Sequence, residues 1–560
     1  MKSSSMTGLS EFSGQPLETE AGIGSLTLPG FLYQLADTYG SNEALRWRKP
    51  DGCVHSWSFA AMLAECTRVA SSLLAQGVGK DARVGVLISN RPEWIFSAFG
   101  ASMAGAVVVA MNTFSTRQEL RYQLEIADVD TLIIEAAVAS RNFVEDMLAL
   151  CPGLAAAAPG KLYCEELPFL RKVVCVDGRP VADGIQGWQA FLAAGRAIPD
   201  AITRATAASA CMADPGLIFF SSGSTALPKA IQQTHRAAML QCWRLGKWYE
   251  FDGAIRTWSA NGFFFSGNFA ITFGSLSAGN CIVLQRYFDP DEALELFQSE
   301  QVACAIGWPH QEARLRECAG WEQADLSALR YVDCEGALAT HPTINTGWRY
   351  PWGYGCTETF TVVTGMAGSE IDGRTYGPVL PGNTIRIVDP ETNEILPLGE
   401  TGEIAVKGPT LTPGYLKIPP EQLFDNEGFY HTADAGYFTA DGRLCWEGRM
   451  GDIIKTGGAN VSPTEIDAAL SGHPAIMQVA TVGVPHESLG EIVASCVVLR
   501  DGHTLDGERL KKYAKTLLAS YKVPRQVLFF SDGELPMTGS NKVRRRALQK
   551  LVAERLNRAT

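Results

Sequence analysis

The run Ser221-Ser222-Gly223-Ser224-Thr225-Ala226-Leu227-Pro228-Lys229 sets four hydroxyl side chains around one glycine and closes on a lysine. Glycine permits a tight turn in which main-chain N–H groups and side-chain oxygens converge on one point, and a lysine beside it suits phosphate. The apolar stretch Leu217 to Phe220 just before it reads as a buried strand, so the loop leaves that strand's end. The chemistry this predicts is the wrapping of an anion. The spacing is not that of a Walker loop, because Lys229 follows proline and precedes alanine, so a P-loop NTPase fold is not implied.

Four later segments carry further polar groups in order: Tyr354-Gly355-Cys356-Thr357-Glu358, Thr432-Ala433-Asp434, Gly448-Arg449-Met450-Gly451-Asp452 and Pro536-Met537-Thr538-Gly539-Ser540-Asn541-Lys542. With the first loop, this series resembles the adenylate-forming superfamily of acyl-CoA synthetases, peptide-synthetase adenylation domains and beetle luciferases. The resemblance runs from about Leu28 to the C-terminus, and its acid–CoA ligase branch is the expected one.

A loop for phosphate, a Thr-Glu pair, an Asp after Thr in a turn and a late lysine are parts that ATP-driven carboxylate activation needs. Attack of a carboxylate oxygen on the α-phosphate builds charge on phosphate oxygens, so catalysis rests on positioning and electrostatics. The resemblance implies ATP, Mg²⁺ and coenzyme A. Ser221, Ser222, Gly223, Ser224, Thr225 and Lys229 would hold phosphates, Thr357 the α-phosphate, and Glu358 the metal. Tyr354, flanked by Gly353 and Gly355, would lie against adenine opposite Gly336 and Ala337. Asp434 would accept the ribose hydroxyls with help from Arg449, and Lys542 would bridge the acid and the α-phosphate. The family rotates its C-terminal domain between half-reactions. The hinge would be Gly451, and Gly457 and Gly458 would then face the pantetheine tunnel.

Four positions depart from the family pattern: alanine at 226, 230 and 433, and asparagine at 541, where glycine is usual. Asparagine tolerates left-handed backbone, whereas alanine at a position needing positive φ is costly. The departures leave a catalytically silent nucleotide-binding homologue open. A ligase passing its acyl group to a carrier protein or an amine is a second alternative.

The acid pocket implied by the resemblance includes Asn261-Gly262-Phe263-Phe264-Phe265-Ser266-Gly267-Asn268-Phe269, with Trp308 and His310 further on. No aspartate stands there to hold an α-ammonium, so an apolar fatty, alicyclic or aryl acid is expected, with Phe264, Phe265 and Trp308 against it. Ordinary core packing is the other reading of the phenylalanines.

These groups need elements to position them. At 560 residues, 46% hydrophobic and 19% charged, the chain exceeds one core and has a globular composition. A formal net charge of −12 argues against a nucleic-acid partner. Fourteen cysteines without C-x2-C spacing disfavour a zinc site and fit small buried residues in a reducing cytoplasm. No secretory signal is read in Met1 to Gly24. Trp94 to Met111 and Asn261 to Leu284 are long and uncharged, but each changes character at a glycine, Gly105 or Gly279, and reads as a buried helix followed by a buried strand rather than a membrane span. The oligomeric state stays open, a homodimer included.

Helix-period segments (Phe59 to Gln76, Arg117 to Ile126, Asp291 to Glu300) alternate with apolar strands at Arg83 to Ile88, Thr131 to Ile134, Lys172 to Val176, Ala303 to Ile306 and Arg330 to Val332. The fold class expected is α/β: a large N-terminal domain of two layered α/β subdomains plus a small β-barrel-like subdomain from Thr384, and a smaller mobile α+β C-terminal domain. The boundaries expected are a flexible tail over 1–24, an adenylate-forming domain over 25–448, a hinge over 449–452 and a C-terminal lid over 453–560.

Overall fold

The computed structural model describes residues 8–559 apart from 50, 159, 179–181, 222–227, 391, 451–453, 462, 532, 537–542 and 544, with backbone alone at 309, 310, 447–449, 460, 464, 546 and 557–559. Two largely parallel sheets dominate the N-terminal part. In the first, the strands run in the order Ile185–Gly187, Lys172–Cys175, Thr131–Ile134, Arg83–Leu87, Val107–Ala110, Pro215–Ser221 and Lys229–Thr234, and only the last pair is antiparallel. The second runs Cys304–Ala305, Arg256–Ser259, Cys281–Leu284, Glu43–Arg48 and Val54–Ser58.

One contiguous core joins the two sheets. It takes Val84, Val86 and Leu217 from the first, Leu45, Ile282 and Leu284 from the second, and buried faces of the helices Phe59–Ala75, Pro92–Met103, His235–Trp248 and Ser266–Ser277. Strands buried on both faces lose their alternation, which is why Val107–Ala110 and Cys281–Leu284 read as unbroken apolar runs. Both long uncharged stretches are a helix and then a strand. No helix among the described residues is long and apolar enough to cross a membrane.

From Thr384 the chain builds a five-stranded antiparallel sheet: Glu11–Ser13, Thr384–Val388, Gly402–Lys407, Tyr430–Phe438 and Leu444–Arg449. Its first strand corrects the expectation of a flexible tail over 1–24, which does not hold for residues 8–24. Glu11–Ser13 pairs with Thr384–Arg386, Ser10 is fully buried, and Glu20 meets the buried guanidinium of Arg244 at 2.8 Å. A polar composition concealed an edge strand and the counter-ion of a buried cation.

Arg330–Val332 is also corrected: it forms a single bridge from Tyr331 to Cys304, not a strand. The Thr346 hydroxyl donates to the carbonyls of Arg330 and Val332, in place of a ladder.

The C-terminal body has its own sheet, Ala459–Val461, Ile454–Thr456, Gly490–Leu499 and Ile476–His486, with Gln526–Phe530 parallel to Gly490–Leu499. Separate cores lie on its two faces. Pro463–Ser471 and Gly507–Leu517 contribute to one, and Arg545–Ala559 to the other.

Candidate active site

The strand Pro215–Ser221 delivers Ser221 opposite Lys229, the first residue of the antiparallel strand Lys229–Thr234. Ser222, Gly223, Ser224 and Thr225 lie outside the described residues. Of the departures from the family glycines, Ala230 is buried in an ordinary strand pairing with Phe220, so its methyl group packs without backbone strain.

Tyr354 to Glu358 fold as a short hairpin, Gly355–Cys356 against Thr361–Val362, running into a 3-10 turn over Thr357–Thr359. A β-carbon on Gly355 would lie 1.6 Å from the Thr361 carbonyl oxygen, so only glycine allows this approach; Gly353 precedes it against the Thr364 carbonyl. Just past Glu358 the backbone enters the left-handed region twice, at Phe360 (φ 44°) and Thr361 (φ 80°). The fully buried Phe360 ring holds this turn. It packs edge-on against Phe219, 5.7 Å away on the strand entering the phosphate loop, and Phe269, 5.8 Å away on the helix after the phenylalanine segment. One ring thereby ties together three segments that the sequence keeps far apart.

Glu358 is almost fully buried. Its Oε1 accepts a 2.7 Å hydrogen bond from the Tyr415 hydroxyl, which lies 3.2 Å from that of Tyr430. The Lys229 ammonium stands 4.8 Å from the centre of the Tyr415 ring. Burial, and then the Glu358 charge, push the Tyr415 hydroxyl far above its ordinary range, so it stays a proton donor. Tyr415 thus links the loop lysine to the Thr-Glu turn. Sequence reasoning passed over it because nothing beside Pro413-Gly414-Tyr415 marks the ring as polar in use.

Tyr354 donates to Asp434 Oδ2 at 2.7 Å, and both are buried. Asp434 sits in the strand Tyr430–Phe438, in register with Arg449 across the sheet; the Arg449 side chain is not among those described. Beside Gly336, the main-chain N–H groups of Ala337 and Leu338 donate to Glu312 Oε2 at 2.9 and 3.3 Å. Burial raises the Glu312 carboxyl above its usual range. Glu312 is a second residue the sequence reading missed, and it shapes the turn assigned to adenine.

Phe264, Phe265 and Trp308 line a cavity of about 680 Å³ that continues to Gly457 in the C-terminal body. Phe263, Phe264 and Phe269 belong to the buried core and Phe265 packs against it, so both readings of the phenylalanine segment apply, and Phe264 serves the core and the cavity at once. The His310 side chain is not among those described. A β-carbon on Gly458 would run into the six-membered ring of Trp308 at Cε3 and Cζ3. Gly451 and Lys542 lie outside the described residues. The structure therefore brings together Lys229 with Glu358 through Tyr415, Tyr354 with Asp434, and Gly457 and Gly458 with the aromatic cavity.

The pattern of the family described as AMP-binding enzyme matches residues 32–416, and that of the AMP-binding enzyme C-terminal domain matches 465–542. The chain belongs to the AMP-binding enzyme family. Among curated relatives of this AMP-binding enzyme, the acyl-CoA ligase SID4 of Ajellomyces capsulatus is 28% identical over 91% of this chain and 90% of its own. The feruloyl-CoA synthase of an Amycolatopsis species is 28% identical over 87% and 92%. Among solved structures, the amide bond synthetase McbA of Marinactinospora thermotolerans superposes with a TM-score of 0.73 at 21% identity, covering 93% of this chain and 99% of that one, which shows a shared fold.

Proposed function

We infer that this AMP-forming acid–CoA ligase activates an apolar fatty, alicyclic or aryl carboxylic acid and transfers the acyl group to coenzyme A. One observation carries the reading. The 680 Å³ cavity is aromatic at Phe264, Phe265 and Trp308, and its charged lining residues among those described are all cationic: Arg141, Arg286, Arg314, Lys515 and Arg525. With no carboxylate among these described lining residues, it offers no counter-ion to an α-ammonium and suits an apolar acid followed by a phosphate-bearing thiol.

In the first step a carboxylate oxygen attacks the α-phosphorus of ATP; a new P–O bond forms and the bond to pyrophosphate breaks. In the second, the thiol sulfur attacks the acyl carbon, the C–O bond to AMP breaks, and the thiol proton leaves to solvent. Ser221 and Lys229 border the phosphates in this reading, Thr357 faces the α-phosphate, and Tyr354 with Gly336 and Ala337 frames adenine. Asp434 holds the ribose. Lys542 as the charge that accompanies the attack, Gly451 as hinge, and Ser222 to Thr225 as phosphate donors rest on motif order alone.

Glu358 fits a divalent cation. It is a nearly buried carboxylate whose named side-chain partner is a phenol, and no cationic side chain among the described residues lies within ion-pairing distance. No group of three His, Cys, Asp or Glu among the described residues could hold a metal by itself. One carboxylate completed by substrate phosphates is how Mg²⁺ is usually held. When bound, Mg²⁺ would neutralise phosphate charge.

The test is acid-dependent pyrophosphate release from ATP across fatty, alicyclic, aryl and amino acids, each with and without CoA. Release with apolar acids and sustained turnover only with CoA is expected. Turnover indifferent to CoA would move the acceptor to a carrier protein or amine, and silence with every acid would overturn the reading.

A further inference from the structure

Gly458 meets Trp308 only because the C-terminal body is seated on the N-terminal one, and the groups that seat it lie elsewhere. We propose that Lys522 is a positioning residue for the thioester-forming half-reaction, seating the C-terminal body by bridging Glu119 of the N-terminal body and Glu465 of its own. The proposal rests on the acid–CoA ligase reading.

Lys522 closes the 3-10 turn Ser520–Lys522, and its side chain is only 3% exposed. Its ammonium lies 3.1 Å from Glu119 Oε1 and 2.7 Å from Glu465 Oε1. Glu119 is held in place. It is the third residue of the helix Arg117–Ile126, where its other oxygen accepts from the Thr116 main chain at 2.7 Å in a capping box. Glu465 stands in the first turn of the helix Pro463–Ser471, which follows the turn at Gly457 and Gly458 and the strand Ala459–Val461. The bridge therefore reaches the glycine turn through one short element.

The neighbouring residue extends the contact into the cavity. The Tyr521 ring meets Phe114 edge-on at 6.5 Å, Phe114 meets Phe264 at 5.7 Å, Phe264 meets Phe265 at 4.7 Å, and Phe265 meets Trp308 at 6.2 Å. An unbroken row of rings thus runs from the lysine's neighbour to the indole that Gly458 meets.

The charge arrangement suits a contact that must release. On separation Lys522 keeps Glu465 as its counter-ion while Glu119 returns to water, so neither body is left with a bare buried cation. Without the lysine, Glu119 and Glu465 would lose the ammonium that both meet, and the repulsion between the two carboxylates would act only in the seated orientation.

The test compares Lys522→Met and Glu119→Gln with the wild-type chain. Glutamine keeps the cap and leaves Lys522 paired with Glu465, so Glu119→Gln carries the test if Lys522→Met fails to fold. Acid-dependent ATP–pyrophosphate exchange should stay within about twofold, while single-turnover acyl transfer to CoA falls about tenfold or more in Lys522→Met and less in Glu119→Gln. Amide hydrogen exchange should quicken along the seam between the two bodies, at 112–119, 457–459 and 519–524, and not in the cores of either body. Equal losses in both half-reactions, or unchanged transfer with unchanged amide exchange, would overturn the proposal. A wild-type chain that exchanges pyrophosphate but transfers nothing to CoA would sink the acid–CoA reading instead, and amide exchange would still decide the bridge.

Discussion

Gly458 lies so close to Trp308 that a β-carbon built on the glycine would stand 1.1 Å from the indole Cε3, and its φ of 79° is one that side chains rarely adopt. The two residues are 150 positions apart in the chain, and their contact is where the C-terminal body closes on the aromatic cavity. Gly458→Ala should therefore slow CoA-dependent thioester formation about 100-fold, or ~3 kcal/mol, while pyrophosphate exchange stays within about threefold. Stopped-flow measurement of each half-reaction checks this; an equal fall in both would mean that the glycine serves folding alone.

Tyr415 bridges the loop lysine and the Thr-Glu turn. Tyr415→Phe removes the hydroxyl from Glu358 and keeps the ring under Lys229, and should lower pyrophosphate exchange about tenfold. Tyr415→Ala also loses the cation–π contact, worth a further ~0.5–2 kcal/mol, and should lower it more. Exchange kinetics over a range of ATP concentrations separates the two contributions.

Phe360 joins three site segments through one buried ring. Its replacement by alanine should cost about 3–5 kcal/mol of stability in urea unfolding and depress both half-reactions together. Loss of activity at undiminished stability would show that the ring only shapes the turn.

Ala433 has φ 55°, in the left-handed region that the family fills with glycine. Ala433→Gly should relieve ~1 kcal/mol of strain and raise the unfolding midpoint. Thermal unfolding monitored by circular dichroism is the check, and a lowered midpoint would show that the strain is compensated within the strand.

His235 is buried at the start of the helix His235–Trp248, where its Nδ1 accepts the Leu28 main-chain N–H at 3.2 Å. Burial lowers its pKa from 6.5 to about 4. Because the folded value lies below the unfolded one, the stabilisation is full above pH 6.5 and drains away as pH falls towards 4. About 3 kcal/mol should be lost across that window, and His235→Asn, which keeps an acceptor without the charge, should flatten it. Urea unfolding at several pH values measures the slope.

The segments legible from sequence were those whose environment repeats along the chain. Arg117–Ile126 shows helical spacing behind a Thr-x-x-Glu cap, and Thr131–Ile134 and Gly402–Lys407 are short apolar runs bounded by turn residues. The ordered motifs likewise announced the family, because each consists of neighbours whose residue types suffice. What the tertiary structure alone decided are partnerships between strangers. Lys522 meets Glu119 across 403 positions, Glu358 meets Tyr415, and Glu11–Ser13 pairs with Thr384–Arg386. A side chain's charge or hydroxyl carries no address, and an edge strand's backbone bonds are independent of residue type. Only packing in three dimensions selects which distant group completes each of them.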